Sequence, residues 1–401
     1  MSKGTFSRSR LDRARGIMEG YVERGELPGF AWLLSRAGEV QVQATGALSF
    51  QGAALERDAI FRIASMSKAV TAAAAMILVE ECKLRLDDPV DELLPELADR
   101  QVLTSLDAPL TDTVPAQRAI TTRDLLTFRM GFGLSMDPPG THPIQRATDS
   151  LQLGQGAPRP KELPEPDEWI RRFGTLPLIH QPGEKWMYHT GSDVLGVMIA
   201  RAAGTSFDGF LRERLFGPLG MKDTGFSVPA DRADRFTASY ATVPQTGKLW
   251  LGDEAASGQW SQPPAFPSGG AGLVSTVDDF HAFGQMLLNG GRHGTEQILS
   301  RASAELMTSD HLTDVQKAVS GLVPGYFASR GWGFGVSVVT RRLDWHSVGT
   351  YGWDGGLGTS WRNDPKEGLV GILLTQRAWT SPVAPRVCRD FWTLAYQALE
   401  D

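Results

Sequence analysis

The sequence describes an α+β protein, with one mixed antiparallel sheet built from both ends of the chain, flanked by helices, and a helical stretch inserted between the two halves. Strand-like segments fall near both termini. Short helical patterns separated by Pro- and Gly-rich loops fill the middle, from about Asp87 to about Pro267. At 401 residues, with 41% hydrophobic and 21% charged side chains, the chain can bury a large core and is too ordinary in composition for a disordered, collagenous or coiled-coil protein. The expected division joins 1–86 and 268–401 as the sheet-containing region and sets 87–267 apart as mainly helical.

The elements follow in order. Leu11 to Val22 carries Leu11, Ala14, Ile17 and Met18 at helical spacing, and Pro28-Gly29 ends that pattern. Phe30 to Ser35 and Glu39 to Thr45 read as two strands joined at Ala37-Gly38. Phe61-Arg62-Ile63 is a short extended stretch. From Ser65 to Cys82, Lys68, Ala69, Ala72, Met76 and Val79 recur at helical spacing. Thr122 to Thr127, Glu168 to Phe173, Val194 to Ala202 and Phe207 to Phe216 are the middle helices, with loops at Asp137 to Gly140 and Gly154 to Pro166. Thr276 is the N-cap of a helix reaching Asn289, with Asp278 and Asp279 favourably placed in its first turn. Trp332 to Val339, Trp361-Arg362 and Leu369 to Thr375 read as strands, and Ala384 to Leu399 as a terminal helix.

Charge and composition exclude several partners. Asp plus Glu is 46 against 40 Lys plus Arg, a net charge of −6 without a long basic run, so no nucleic-acid partner is expected. No run of about 18 apolar residues occurs, so no membrane-spanning helix is expected. The N-terminal MSKGTFSRSRLDRARG is basic but has no apolar stretch behind it, unlike a secretory signal, and a cytoplasmic protein is expected. Two cysteines, Cys82 and Cys388, fit a reducing compartment or buried small side chains.

Three short segments carry chemistry. Ser65-Met66-Ser67-Lys68 opens an apolar helix, and three-residue spacing puts Ser65 and Lys68 on one face. A partly desolvated lysine can take part in removing the proton of a serine hydroxyl, and free N–H groups at a helix start favour developing negative charge. A capping serine followed by a solvated lysine has the same spelling. Tyr188-His189-Thr190 precedes the helical Asp193 to Ala202. A cation near Tyr188 would favour the phenolate and make it a base; a packed aromatic is the plainer reading. His189 competes as a base, but in an extended segment it points away from Tyr188's side. Tyr351-Gly352-Trp353-Asp354-Gly355-Gly356 offers glycines for close backbone approach to a ligand, or simply a bend between strands. No Gly-x-Ser-x-Gly elbow, His-Glu-x-x-His, Walker loop or dinucleotide fingerprint in a fitting context occurs, and the seven histidines lack metal spacing.

Taken together, Ser65-x-x-Lys68, Tyr188-x-Thr190 and Trp353-x-Gly355 resemble the serine β-lactamase-like superfamily, its class C branch, and most of all family VIII carboxylesterases. Phe61 to Lys68, Leu84 to Pro89, Ile120 to Thr127, Gly217 to Phe226, Gly269 to Gly291 and Asp364 to Thr375 look like that family too. The resemblance implies a β-lactamase/DD-peptidase-like fold, a mixed antiparallel sheet flanked by helices with an all-helical second region, and an active site between the two. It implies Ser65 as acylated nucleophile, Lys68 and Tyr188 as proton-transfer pair, and the N–H groups of Ser65 and Gly356 as oxyanion hole. Trp353, Gly355, Thr190 and Phe128 would face the substrate, a small-molecule ester, with no metal or other cofactor.

Three departures bear on substrate. Thr190 stands where class C lactamases carry Asn, and Trp353 where they carry the lysine of Lys-Thr-Gly. An amide and a cation are thereby lost, which points to neutral esters, short or aryl. Phe128-Arg129-Met130 stands where relatives often show His-Thr-Ser; Arg129 reads as a structural ion-pair partner or a substitute anion contact. Trp186 and Trp260 are further candidates for lining an apolar cleft. An acyltransferase, β-lactamase or D-amino-acid peptidase on the same site, or a non-catalytic binding or scaffold protein, are the alternatives.

Overall fold

The computed structural model describes residues 6–243 and 245–400. The first five residues of the basic N-terminal stretch, read above for a secretory signal, lie outside them.

The principal elements are α1 (Arg8–Glu23), β1 (Gly29–Arg36), β2 (Glu39–Gly46), α2 (Ser67–Glu80), α3 (Thr190–Ala203), α4 (Val277–Leu288), β3 (Arg330–Trp332), β4 (Ser337–Val339), β5 (Tyr351–Gly355), β6 (Thr359–Asp364), β7 (Leu369–Thr375) and α5 (Arg386–Gln397). One sheet of seven strands has the order β3-β4-β5-β6-β7-β1-β2. Every neighbouring pair in it is antiparallel, and β1 joins the two ends of the chain by pairing with both β2 and β7. No strand of this sheet comes from 87–267, as the terminal placement of strand patterns predicts.

Strand β1 shows why the sheet is buried on both faces. Its residues alternate sides, as any strand's must. Phe30, Trp32 and Leu34 join a cluster with Met18 and Tyr21 of α1 and Phe391 of α5. Ala31 and Leu33 join the main core with α2 and α4. Helix α2 is buried almost all round, from Ser67 to Leu78, and its alanines let α3 and the sheet side crowd against it. Helix α4 begins as expected, with the Asp279 N–H donating to the Thr276 hydroxyl at 3.2 Å.

Three local expectations change. Trp332 to Val339 is not one strand but the hairpin of β3 and β4, turning through Gly335 at φ +70°. Tyr351–Gly355, readable as a bend, is the interior strand β5, paired on both sides. The middle stretch is not wholly helical, since it holds two short ladders, Gln101–Leu103 with Thr113–Pro115 and Ser239–Thr242 with Leu249–Asp253. Cys388 is buried in the α1/α5 layer, whereas Cys82 is exposed. Among the described residues no single helix is long and apolar enough to cross a membrane.

Candidate active site

Ser65 does not open the helix. It lies in a tight 3-10 turn, Ala64–Met66, and the α-helix starts two residues later at Ser67. Ala64 takes φ +44° to make this turn. The Ser67 hydroxyl locks it, donating to the Ala64 carbonyl at 2.6 Å and accepting from the Leu273 N–H at 3.1 Å. The strand before the turn is pinned by the buried Arg62, whose guanidinium pairs with Asp253 and stands 4.0 Å from the Phe236 ring centroid and 5.2 Å from that of Trp260. Trp260 is thus a core partner of Arg62, with its indole N–H donating to the Gly272 carbonyl, and does not line the site.

Lys68 is fully buried and its Nζ lies 3.0 Å from Ser65 Oγ. It also donates to the Gly270 carbonyl at 2.6 Å and lies 3.2 Å from His189 Nδ1. Burial pushes its pKa down to about 7, against the pull of Asp193 in the other direction. Tyr188 comes from the far side: Lys68 Nζ stands 4.5 Å from its ring centroid, and the Trp353 indole donates to its oxygen at 2.6 Å. Burial raises the phenol pKa, and the hydrogen bonds with Ser65 and Trp353 offset this only partly. The expected electrostatics are therefore reversed. A lysine whose pKa is pushed toward neutrality favours a phenolate less than a full cation would, and burial of Tyr188 favours the protonated phenol.

His189 departs further from expectation. Its backbone sits at φ +89°, ψ −70°, so the alternation of an extended segment fails and the imidazole turns toward Lys68 rather than away. Its Nε2 lies 3.2 Å from Asp193 Oδ2, one turn along α3. Burial and the nearby Lys68 hold the imidazole pKa below its usual value. Asp193 Oδ1 accepts from the Ser268 hydroxyl at 2.6 Å and the Gly270 N–H at 2.9 Å. Asp193, Ser268 and Gly270 were not singled out from the sequence; the i, i+4 spacing of His189 and Asp193 on a helix start was the available signal.

Ser65, Tyr188, His189, Trp353 and Gly356 line one cavity of about 440 Å³, whose other walls include Leu134, Met136 and Trp379. Gly355 and Phe128 do not line it. An added Cβ on Gly355 would stand 2.3 Å from the Ile63 carbonyl oxygen, so this glycine lets β5 back onto the turn that carries Ser65. Phe128 is buried behind Tyr188, with ring centroids 5.9 Å apart, in an aromatic cluster with Trp186 and Trp332. Thr190 is buried as well, its hydroxyl accepting from Gln155 at 2.9 Å, and it too lies outside the cavity lining. Arg129 donates to the Thr127 hydroxyl at 2.8 Å and to the Gln316 amide oxygen at 3.4 Å; neither is a carboxylate, so the expected ion pair is not what holds it. Among the described residues, no three His, Cys, Asp or Glu side chains gather as a metal set.

A half-buried hydroxyl, an amine that titrates near neutrality and a protonated phenol meet at a solvent-reachable wall. Such a set can move a proton off the hydroxyl and supply another to a departing group.

Protein Rv1367c of Mycobacterium tuberculosis is 40% identical over 331 residues, covering 81% of this chain and 79% of that protein. Esterase EstB of Burkholderia gladioli is 29% identical over 402 residues, covering 94% and 92%. The solved structure of EstCE1, described as a hydrolase with promiscuous acyltransferase activity, superimposes with a TM-score of 0.79 at 25% identity, covering 97% of this chain and 99% of that one. The fold is that of the serine β-lactamase-like superfamily. The profile of the Beta-lactamase family matches residues 14–386, and the chain belongs to that family of serine hydrolases, with esterases and acyltransferases among its relatives.

Proposed function

We propose that the protein is a serine carboxylesterase acting on neutral short-chain or aryl esters. The observation that carries this reading is the 3.0 Å contact between Ser65 Oγ and a Lys68 amine whose pKa is pushed down to about 7. Ser65 Oγ attacks the ester carbonyl carbon as its proton passes to Lys68. The N–H groups of Ser65 and Gly356 face the oxyanion that develops. The bond to the alcohol oxygen then breaks, and Tyr188 supplies the proton that the alkoxide needs, recovering one from Lys68. Water attacks the acyl-enzyme by the same path in reverse and releases the acid. No metal or organic cofactor enters these steps. Apolar and aromatic walls, with Trp353 where a lysine would meet a carboxylate, favour an uncharged substrate.

The test is turnover of p-nitrophenyl acetate and butyrate by Ser65→Ala, together with mass-spectrometric location of a fluorophosphonate adduct. Loss of turnover in a folded variant and a label on Ser65 are expected. Unchanged turnover, or a label elsewhere, overturns the reading. A second reading, transfer of the acyl group to an alcohol other than water, is favoured by EstCE1, whose description includes acyltransferase activity. Product analysis with a competing alcohol separates the two.

A further inference from the structure

We propose that His189 and Asp193 are a positioning pair that aims the Lys68 lone pair at Ser65; the inference rests on the esterase reading above. A neutral amine has two N–H groups and one lone pair. Lys68 Nζ has three close polar neighbours: the Gly270 carbonyl at 2.6 Å, Ser65 Oγ at 3.0 Å and His189 Nδ1 at 3.2 Å. The carbonyl can only accept, so it takes one N–H. Whether His189 takes the second depends on its tautomer.

Asp193 decides the tautomer. Its Oδ1 is already held by two donors, the Ser268 hydroxyl and the Gly270 N–H. Its Oδ2 faces His189 Nε2 at 3.2 Å and can only accept there. The imidazole proton therefore sits on Nε2, and Nδ1 accepts from Lys68. With both N–H groups used, the lone pair is left facing Ser65 Oγ–H. After that proton transfers, the ammonium's three N–H groups meet the same three neighbours, and His189 stays neutral throughout. The opposite tautomer would point Nδ1–H at the amine and occupy the lone pair that Ser65 needs.

Two further observations fit. Lys68, His189 and Asp193 are 0%, 7% and 3% exposed, so bulk water does not replace these bonds. The strained His189 backbone is what turns the imidazole to Lys68, and such strain persists where surrounding structure enforces it. Ser65, Tyr188, His189 and Asp193 are the titratable groups that face Lys68, drawn from the Ser65 turn and the Tyr188 segment with its following helix.

The test is Asp193→Asn. The Gly270 N–H holds the new amide oxygen where Oδ1 was, so the NH2 faces Nε2 and drives the imidazole proton to Nδ1. The kcat for p-nitrophenyl butyrate is expected to fall roughly 100-fold or more with KM little changed. The acid limb of the pH profile should move to lower pH, since a lost carboxylate and a new donor both favour the neutral amine. Loss of the Asp193 charge alone would also move that limb, so kcat is compared at a pH above it, where Lys68 is neutral in both proteins and only the aim of its lone pair differs. His189→Gly, which adopts positive φ freely and carries no side-chain acceptor, should lose kcat to a similar degree and decides the matter where Asp193→Asn does not fold. Folded variants that keep kcat within about threefold of wild type above that limb overturn the inference. In that case an inactive Ser65→Ala leaves the esterase reading standing, whereas an active Ser65→Ala ends the reading itself.

Discussion

The indole N–H of Trp353 donates to the phenolic oxygen of Tyr188 across 2.6 Å, tying strand β5 to the segment that enters α3. The bond occupies an acceptor site on the phenol and leaves its O–H to be aimed elsewhere. Trp353→Phe keeps an aromatic wall but removes the donor. The expected result is a loss of about tenfold in kcat with KM for p-nitrophenyl butyrate nearly unchanged. Steady-state kinetics on the folded variant checks it; a rise in KM at constant kcat would make Trp353 a binding surface only.

The discharged lysine sets two pH dependences. Only the uncharged amine accepts a proton, so kcat/KM is expected to rise with pH through about 7. In the unfolded chain a lysine ionises near ~10.4, so between about 7 and that value the unfolded state holds a proton that the native state has lost. Native stability therefore grows across this window and is lowest below it, where the buried amine must carry charge. The Tm of wild type should gain on that of Lys68→Met as pH is raised from about 7 toward ~10. A Tm difference that stays flat across the range contradicts a depressed pKa.

The parts of the site legible in the sequence were the local ones. Ser65 and Lys68 are one helical turn apart, and backbone geometry alone brings them together, even though the first turn tightens to 3-10. Trp353 and Gly356 were placed by the family resemblance, since the residues alone read equally as a bend between strands. The side His189 faces could not, because its backbone conformation comes from tertiary contacts that override extended alternation. Phe128 and Thr190 looked substrate-facing by their place in motifs. Phe128 turns behind Tyr188 through a positive φ, and Thr190 is held by Gln155, a loop partner thirty-five residues away. Likewise the sheet followed from strand patterns at both ends, whereas the hairpin of β3 and β4 hid within one apolar run.

Two adjacent glycines should respond in opposite ways. A Cβ on Gly355 would press on the Ile63 carbonyl oxygen at 2.3 Å and on Thr359 Oγ1 at 2.1 Å, and the Ile63 carbonyl belongs to the turn carrying Ser65. Gly355→Ala is expected to cost about 1–3 kcal/mol of stability and most of the activity. Gly356→Ala meets no heavy atom within 4 Å and keeps its backbone N–H, so stability and kcat should stay close to wild type. Urea unfolding and p-nitrophenyl butyrate turnover measure both, and equal effects at the two positions would refute the packing argument.

Leaving-group dependence separates the roles of Lys68 and Tyr188. Burial raises the pKa of the phenol, while that of the amine is pushed down to about 7, so in the proposed mechanism Lys68 accepts the Ser65 proton and Tyr188 donates to the alcohol. An alkyl alkoxide is a poor leaving group without that proton, whereas p-nitrophenolate leaves unaided. Tyr188→Phe should therefore depress kcat/KM, which reports acylation and not the deacylation the two esters share, by roughly 100-fold or more for an alkyl butyrate and much less for p-nitrophenyl butyrate. Were Tyr188 instead the base for Ser65, attack itself would slow and both esters would lose rate alike. Paired rates on the two esters, at a pH above the Lys68 transition, distinguish these cases because the acyl group and the acyl-enzyme are identical and only the alcohol's need for a proton differs.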